Sequence, residues 1–185
     1  TPLLFLEDEA KNAPPPLGNY HVNGCNLDFQ HWLETNVHPQ KQEGYKAVTV
    51  KLPLGDIQAD QFHKLANIAR KYAGGRARIT IQQNLAFRWV PDRALYEVWE
   101  KLSEIGLGDS GAHDITDVVS CPGTDSCKLG ITASMGLGSA LRASLAEMEL
   151  DDPLVRQMHI KMSGCPNGCG QHHIADIGFH GAAAK

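Results

Sequence analysis

No run of roughly 18 or more apolar residues occurs in this 185-residue chain, which excludes a membrane-spanning helix. A surplus of positive charge is also missing. The formal net charge is -4 and the pI about 6.1, which argues against nucleic-acid binding through phosphate neutralisation. The N-terminal residues TPLLFLEDEAKNAPPP have no basic segment leading into a long apolar one, so no signal peptide is recognisable. There is no internal repeat. The cysteine count is not even: there are five, four of them toward the C-terminus and Cys25 alone. That distribution does not suit a disulfide scaffold; it suits metal ligation in a reducing, cytoplasmic compartment. Cys25 is expected to be a small half-buried thiol.

What is present is enough for a packed core. Hydrophobic residues make up 42% and charged residues 21%, which fits one ordinary domain or two small ones. Residues 1–40 read as irregular, with Pro14, Pro15 and Pro16 forming a stiff linker. Residues 45–52 (YKAVTVKL) alternate and are β-branched, which predicts a strand. A turn follows at 53–56. Asp60 is placed to cap a helix with Phe62, Leu65, Ala66, Ala69 and Tyr72 on one face, stopped by Gly74 and Gly75. Residues 76–85 read as a second strand, which 86–90 either continue or pair back on. Asp92 opens a helix with Leu95, Val98, Trp99, Leu102 and Ile105 inward. This is a split βαβ pattern, half of a ferredoxin-like sandwich, within an α/β (α+β) chain.

The Gly-rich stretch 107–113 predicts a domain boundary. Beyond it, 115–120 lead to the first cysteine, 129–150 read as a helix weakened by Gly136 and Gly138, and 155–162 and 174–179 read as strands. Residues 136–141 (GLGSAL) resemble part of a dinucleotide fingerprint. They lack its third glycine and a preceding strand, so that reading is rejected.

The cysteines form two short loops. Cys121 and Cys127 are spaced C-x5-C, Cys165 and Cys169 are spaced C-x3-C, and 37 residues separate the pairs. Four soft thiolates on two loops suit an iron–sulfur cluster. Pro122, Gly123, Pro166 and Gly168 can turn the loops, and small residues let backbone N–H groups approach a sulfide. Cys127 is expected to sit before a helix, whose N-terminus favours a thiolate. Structural zinc uses the same ligands, although its pairs are usually two to four residues apart. Spacing alone leaves both metals open.

The phrases SCPGTDSCKLGI and SGCPNGCGQHHIADIGFHG, with these spacings, resemble the sirohaem sulfite and nitrite reductases. The stretch GYKAVTVKLPLGDIQADQFHKLANIARKYAGGRARITIQQNLAFRWV resembles that family's second ferredoxin-like half-domain. Together the resemblance covers about residues 32–185. It implies a ferredoxin-like half-domain over 41–107 and the start of an α/β sirohaem/4Fe–4S domain over 108–185. It also implies a 4Fe–4S cluster on Cys121, Cys127, Cys165 and Cys169, with Cys169 doubling as the axial thiolate of the sirohaem iron. The implied reaction is six-electron reduction of nitrite to ammonia or sulfite to sulfide, driven by ferredoxin or a flavoprotein.

The family is built of two homologous halves, and the distal Arg and Lys residues come largely from the first. This chain is therefore expected to be a C-terminal-half fragment, inactive without the remaining half of the enzyme. Gly170-Gln171 after the last cysteine leans toward the nitrite type. Gln82, Gln83 and Asn84 match the family's Gln–Asn segment, so Gln83 and Asn84 are candidate sirohaem contacts, with a hairpin turn as the alternative. Arg78 and Arg88 are candidates for the tetrapyrrole carboxylates, or else exposed strand positions. Asn167 and Thr124 are expected to shape the cysteine loops, and Asn167 is a further cofactor candidate. His172 and His173 are read as lying on a strand, pointing to opposite faces, and with His180 as hydrogen-bonding or surface residues. The rival to the enzyme is a non-catalytic metal-binding or assembly module.

Overall fold

The computed structural model describes residues 9–15 and 26–183. Cys25 and Pro16 lie outside the described residues. The chain divides into two units. One comprises residues up to Leu52 together with Ile57–Ala112; the other comprises Pro53–Asp56 and the chain from His113 onward.

The first unit contains an element that the reading of 1–40 as irregular missed, helix α1 (Leu27–Asn36). The Asn26 side chain caps it, accepting from Phe29 N–H at 3.1 Å. Phe29 and Trp32 are buried on one face, and Phe29 packs edge-on against Tyr96 and tilted against Trp99. A ten-residue helix is marginal alone, so this packing stabilises it. Strand β1 (Val37–Pro39) follows directly, then β2 (Tyr45–Val50), helix α2 (Ala59–Tyr72), β3 (Arg78–Ile79), β4 (Leu85–Pro91) and helix α3 (Leu95–Ser103).

The four strands form an antiparallel sheet in the order β1-β2-β4-β3. Trp32, Val48, Val50, Phe87, Val90, Val98 and Leu102 are its fully buried centre. Two boundaries differ from expectation. The cap of α2 is Gln58, paired with Gln61 in a capping box, so Asp60 sits inside the first turn, where its charge favours the helix dipole. Phe62 on that helix is exposed, not inward. The predicted strand 76–85 shrinks to β3, because residues 80–84 close a hairpin: Thr80 N–H donates to Asn84 O at 2.9 Å and Gln83 takes a left-handed φ of 64°.

The second unit holds β5 (Val119–Ser120), α4 (Ser134–Ala146), the short α5 (Pro153–Arg156), β6 (Ile160–Ser163) and β7 (Ile177–His180). The strands form a parallel sheet in the order β5-β6-β7. All four residues of central β6 are buried, as expected of an inner parallel strand. Helix α4 is shorter than the predicted 129–150. Gly138 does not merely weaken it: a Cβ there would stand 2.8 Å from Leu54 Cδ2 and 3.4 Å from Met162 Sδ, so glycine lets the helix close on its core. Residues 155–159 are not strand as predicted, since Asp152 caps α5 and Pro153 opens it. The strand expected at 174–179 begins only at Ile177, because His172–Ile174 form a 3-10 turn. No described helix is long and apolar enough to cross a membrane.

Candidate metal centre

Strands β5 and β6 lie side by side and parallel, with Ser120 opposite Met162. Cys121 follows the end of β5 and Cys165 lies just past the end of β6. Parallel pairing therefore delivers both cysteine loops to the carboxyl ends of neighbouring strands, where open α/β sheets place their sites. The ladder extends into the first loop, since Cys121 N–H donates to Met162 O at 3.1 Å.

The loops also touch each other. Gly164 N–H donates to Cys121 Sγ at 3.0 Å. A Cβ on Gly164 would stand 2.6 Å from Gly123 Cα, and one on Gly123, whose φ is +54°, would stand 2.5 Å from Thr132 O. Any side chain at these two positions would push the loops apart. Burial acts to raise the Cys121 thiol, but the Ser134 hydroxyl and the Gly164 and Gly123 N–H groups outweigh it, and the net direction is down.

Helix α4 does not follow Cys127 as expected. It starts at Ser134, and its first residue serves Cys121: Ser134 Oγ donates to Cys121 O at 2.8 Å and lies 3.5 Å from Cys121 Sγ. Cys127 instead is fixed by its N–H to Gly123 O at 3.0 Å. Thr124 shapes that loop, as read, through its N–H to Thr132 O. Cys121 and Cys165 are buried, Cys127 and Cys169 exposed, and all four are free thiols. Among the described residues, no three His, Cys, Asp or Glu side chains could hold one metal ion. Single-ion zinc needs sulfurs converging at about 2.3 Å from one centre. A 4Fe–4S cluster spreads its thiolates over different irons. Four free thiols on two short loops are the ligand type that both kinds of site use.

The remaining candidates fall in different places. Asn167 is exposed in the C-x3-C loop. Asn84 is fully buried in the first unit, and its Oδ1 accepts from Leu52 N–H at 2.8 Å. Its Oδ1 thereby anchors the chain just past β2, a structural role that the residue type alone did not disclose. Asn84→Ala is expected to cost about 1–3 kcal/mol, because Leu52 N–H is left buried without that acceptor. Urea unfolding followed by tryptophan fluorescence measures it. Gln83 is half-buried in the hairpin turn. Arg78 is an exposed strand position, as the alternative reading has it, Arg88 is half-buried on β4, and both bridge to the buried carboxylate of Glu9.

His172 and His173 lie on a 3-10 turn, not a strand, so the opposite-face argument does not apply. Their rings are 5.4 Å apart, and His172 stacks on His180 at 5.1 Å. Partial desolvation, then His180 and His173, hold the His172 imidazole below its ordinary value. Its Nδ1 meets Ser163 Oγ at 3.0 Å, a hydrogen-bonding role as read. Sequence reasoning missed Ser134, Ser163 and Gly164. Only Gly164, next to Cys165, carried a signal.

Residues 38–105 match the family model of the nitrite/sulfite reductase ferredoxin-like half domain, and residues 111–185 match that of the nitrite and sulphite reductase 4Fe-4S domain. The chain is 34% identical over 159 residues to a protein named ferredoxin–nitrite reductase from Synechococcus elongatus, covering 86% of this chain and 30% of that protein. It is 31% identical over 146 residues to sulfite reductase (ferredoxin) 2 of Mycolicibacterium paratuberculosis, covering 76% of this chain and 26% of that protein. The solved structure of Mycobacterium tuberculosis NirA protein superposes with a TM-score of 0.64 at 25% identity, over 94% of this chain and 30% of that one. The chain thus spans less than a third of the length of these three proteins.

Proposed function

Because this chain belongs to the nitrite and sulfite reductase family, with both of that family's domain models matched along it, we propose that it is the cluster-bearing half of an oxidoreductase that reduces nitrite or sulfite. Cys121, Cys127, Cys165 and Cys169 would hold a 4Fe–4S cluster, and Cys169 would also ligate the sirohaem iron. When bound, these two cofactors supply the electron transfer of the reduction.

The observation that carries this reading is the meeting of the two cysteine loops at the ends of β5 and β6, with Gly164 N–H on Cys121 Sγ. The chain's own residues bind and orient. Cys121 is held in a buried, donor-rich position that favours its thiolate. Gly123 and Gly164 allow the loops to approach. Gln83 and Asn167 are candidate sirohaem contacts. Distal cations for an oxyanion would come from the remaining half of the enzyme.

Nitrite is the favoured substrate and ferredoxin the favoured donor. Gly170-Gln171 and the similarity to ferredoxin–nitrite reductases support both choices. A reducing, cytoplasm-like compartment suits the four free thiols.

The test is metal content after anaerobic preparation with iron and sulfide. The expected result is iron and sulfide in equal amounts with strong visible absorption. Stoichiometric zinc and no iron would overturn the reading in favour of a structural metal module. In the full-length enzyme, kcat/KM is expected to be at least tenfold higher for nitrite than for sulfite; the reverse ratio reassigns the substrate.

A further inference from the structure

Three of the four thiol positions have an evident local anchor. Cys121 is pinned by Gly164 and Ser134, and Cys127 by Gly123. Cys165 is buried just past β6, beside Gly164, whose carbonyl accepts from Ile131 N–H at 2.7 Å and Thr132 N–H at 3.0 Å. Cys169 is exposed, and what fixes it lies in the residues after it. Gly170 N–H donates to Ser163 Oγ at 3.0 Å. The same hydroxyl meets His172 Nδ1 at 3.0 Å. Lys161 Nζ, two residues earlier on β6, donates to Gln171 Oε1 at 2.8 Å. The chain leaving Cys169 is thus clasped onto the strand that leads into Cys165.

We infer that Ser163 is a positioning residue: its hydroxyl, shared between Gly170 N–H and His172 Nδ1, sets the place of Cys169 in the C-x3-C loop. The inference rests on the reading of Cys169 as a ligand. A hydroxyl is suited to this task because it accepts from the amide with a lone pair and donates its own proton to a neutral imidazole nitrogen. Ser163 is 2% exposed, so water does not compete for either bond. The close passage of Gly170 past β6 removes the slack that would make one hydrogen bond ineffective. A Cβ on Gly170 would stand 1.8 Å from Met162 O and 3.1 Å from Ser163 Oγ. Lys161 and Gln171 form a second, outer tie with the same sense.

The test uses the whole chain without metal, so it does not depend on cluster assembly. Site-resolved alkylation by iodoacetamide, read by mass spectrometry, yields the rate at Cys169 relative to Cys127 on the other loop. Ser163→Ala is expected to raise that ratio about threefold to tenfold, the range one net hydrogen bond allows. Ser163→Thr, which keeps the hydroxyl, is expected to return it to within about twofold. An unchanged ratio in Ser163→Ala, or a parallel rise at buried Cys121, overturns the inference, the latter because it marks general loosening.

A measurement on the unaltered chain guards against a variant that does not fold. The Gly170 amide is expected to exchange with deuterium at least tenfold slower than an unstructured glycine, and free exchange there overturns the inference. After loading with iron and sulfide, Ser163→Ala is expected to release iron to a chelator about threefold to tenfold faster than the unaltered chain. A chain that takes up no iron at all refutes the cluster reading, while the alkylation ratio still decides the role of Ser163.

Discussion

On the proposed ligation, Cys169→Ser in the full-length protein is expected to abolish sirohaem binding together with the cluster, whereas Cys127→Ser acts first on the cluster. The chemistry of the change is severe. A serine hydroxyl stays protonated at neutral pH and is a hard ligand, while iron–sulfur clusters need soft thiolates. The structure makes this pair a clean comparison. Both side chains are exposed, so neither substitution opens a cavity. Cys121 would be a poorer choice, because its sulfur also accepts Gly164 N–H, and its loss would disturb the junction of the loops. Visible spectra and iron analysis of the purified variants separate the outcomes. Sirohaem retained with an unchanged spectrum in Cys169→Ser would refute the axial assignment.

The second large effect is structural. Gly170→Ala is expected to destabilise the second unit by about 3 kcal/mol or more, at or beyond the upper end for overpacking a tight site. The new methyl would stand 1.8 Å from Met162 O and 2.7 Å from its carbonyl carbon. These are backbone atoms, so no side-chain rotation relieves the clash. Met162 O is also the acceptor for Cys121 N–H, the bond that extends the β5–β6 ladder into the first cysteine loop. Displacing it therefore disturbs both loops together.

The measurement can be made local. The chain's three tryptophans, Trp32, Trp89 and Trp99, all lie in the first unit, so fluorescence reports on that unit. Hydrogen exchange at β6 and β7 amides reports on the second. Protection of those amides is expected to fall at least tenfold in Gly170→Ala, with the fluorescence signal little changed. Protection equal to that of the unaltered chain would show that the loop can move aside.

Much of the first unit was legible because its elements obey simple periods. The β-branched run over 45–50 forms β2, and the apolar stripes of α2 and α3 face the core in space as in the sequence, Phe62 excepted. Helix α1 was missed because its burial depends on Tyr96 and Trp99 about seventy residues away. The reading of 155–159 as strand failed for a local reason: alternation was heeded over the Asp152-Pro153 helix start. Asn84 differs again: its residue type suits many roles, and its buried bond from Leu52 N–H is visible only in the structure.

The cysteine site divides in the same way. Sequence by itself carried the four cysteines proposed as ligands, the glycines and prolines of the two loops, and the kinship with the nitrite and sulfite reductases, because spacing and residue chemistry are written along the chain. Only the tertiary structure decided that Gly164 serves Cys121, that the start of α4 reaches Cys121 and not Cys127, and that Ser163 holds the chain beyond Cys169. Each of those contacts joins residues from different strands, loops or helices. Their partners are chosen by the parallel pairing of β5, β6 and β7, in which the inner strand β6 is buried along its whole length.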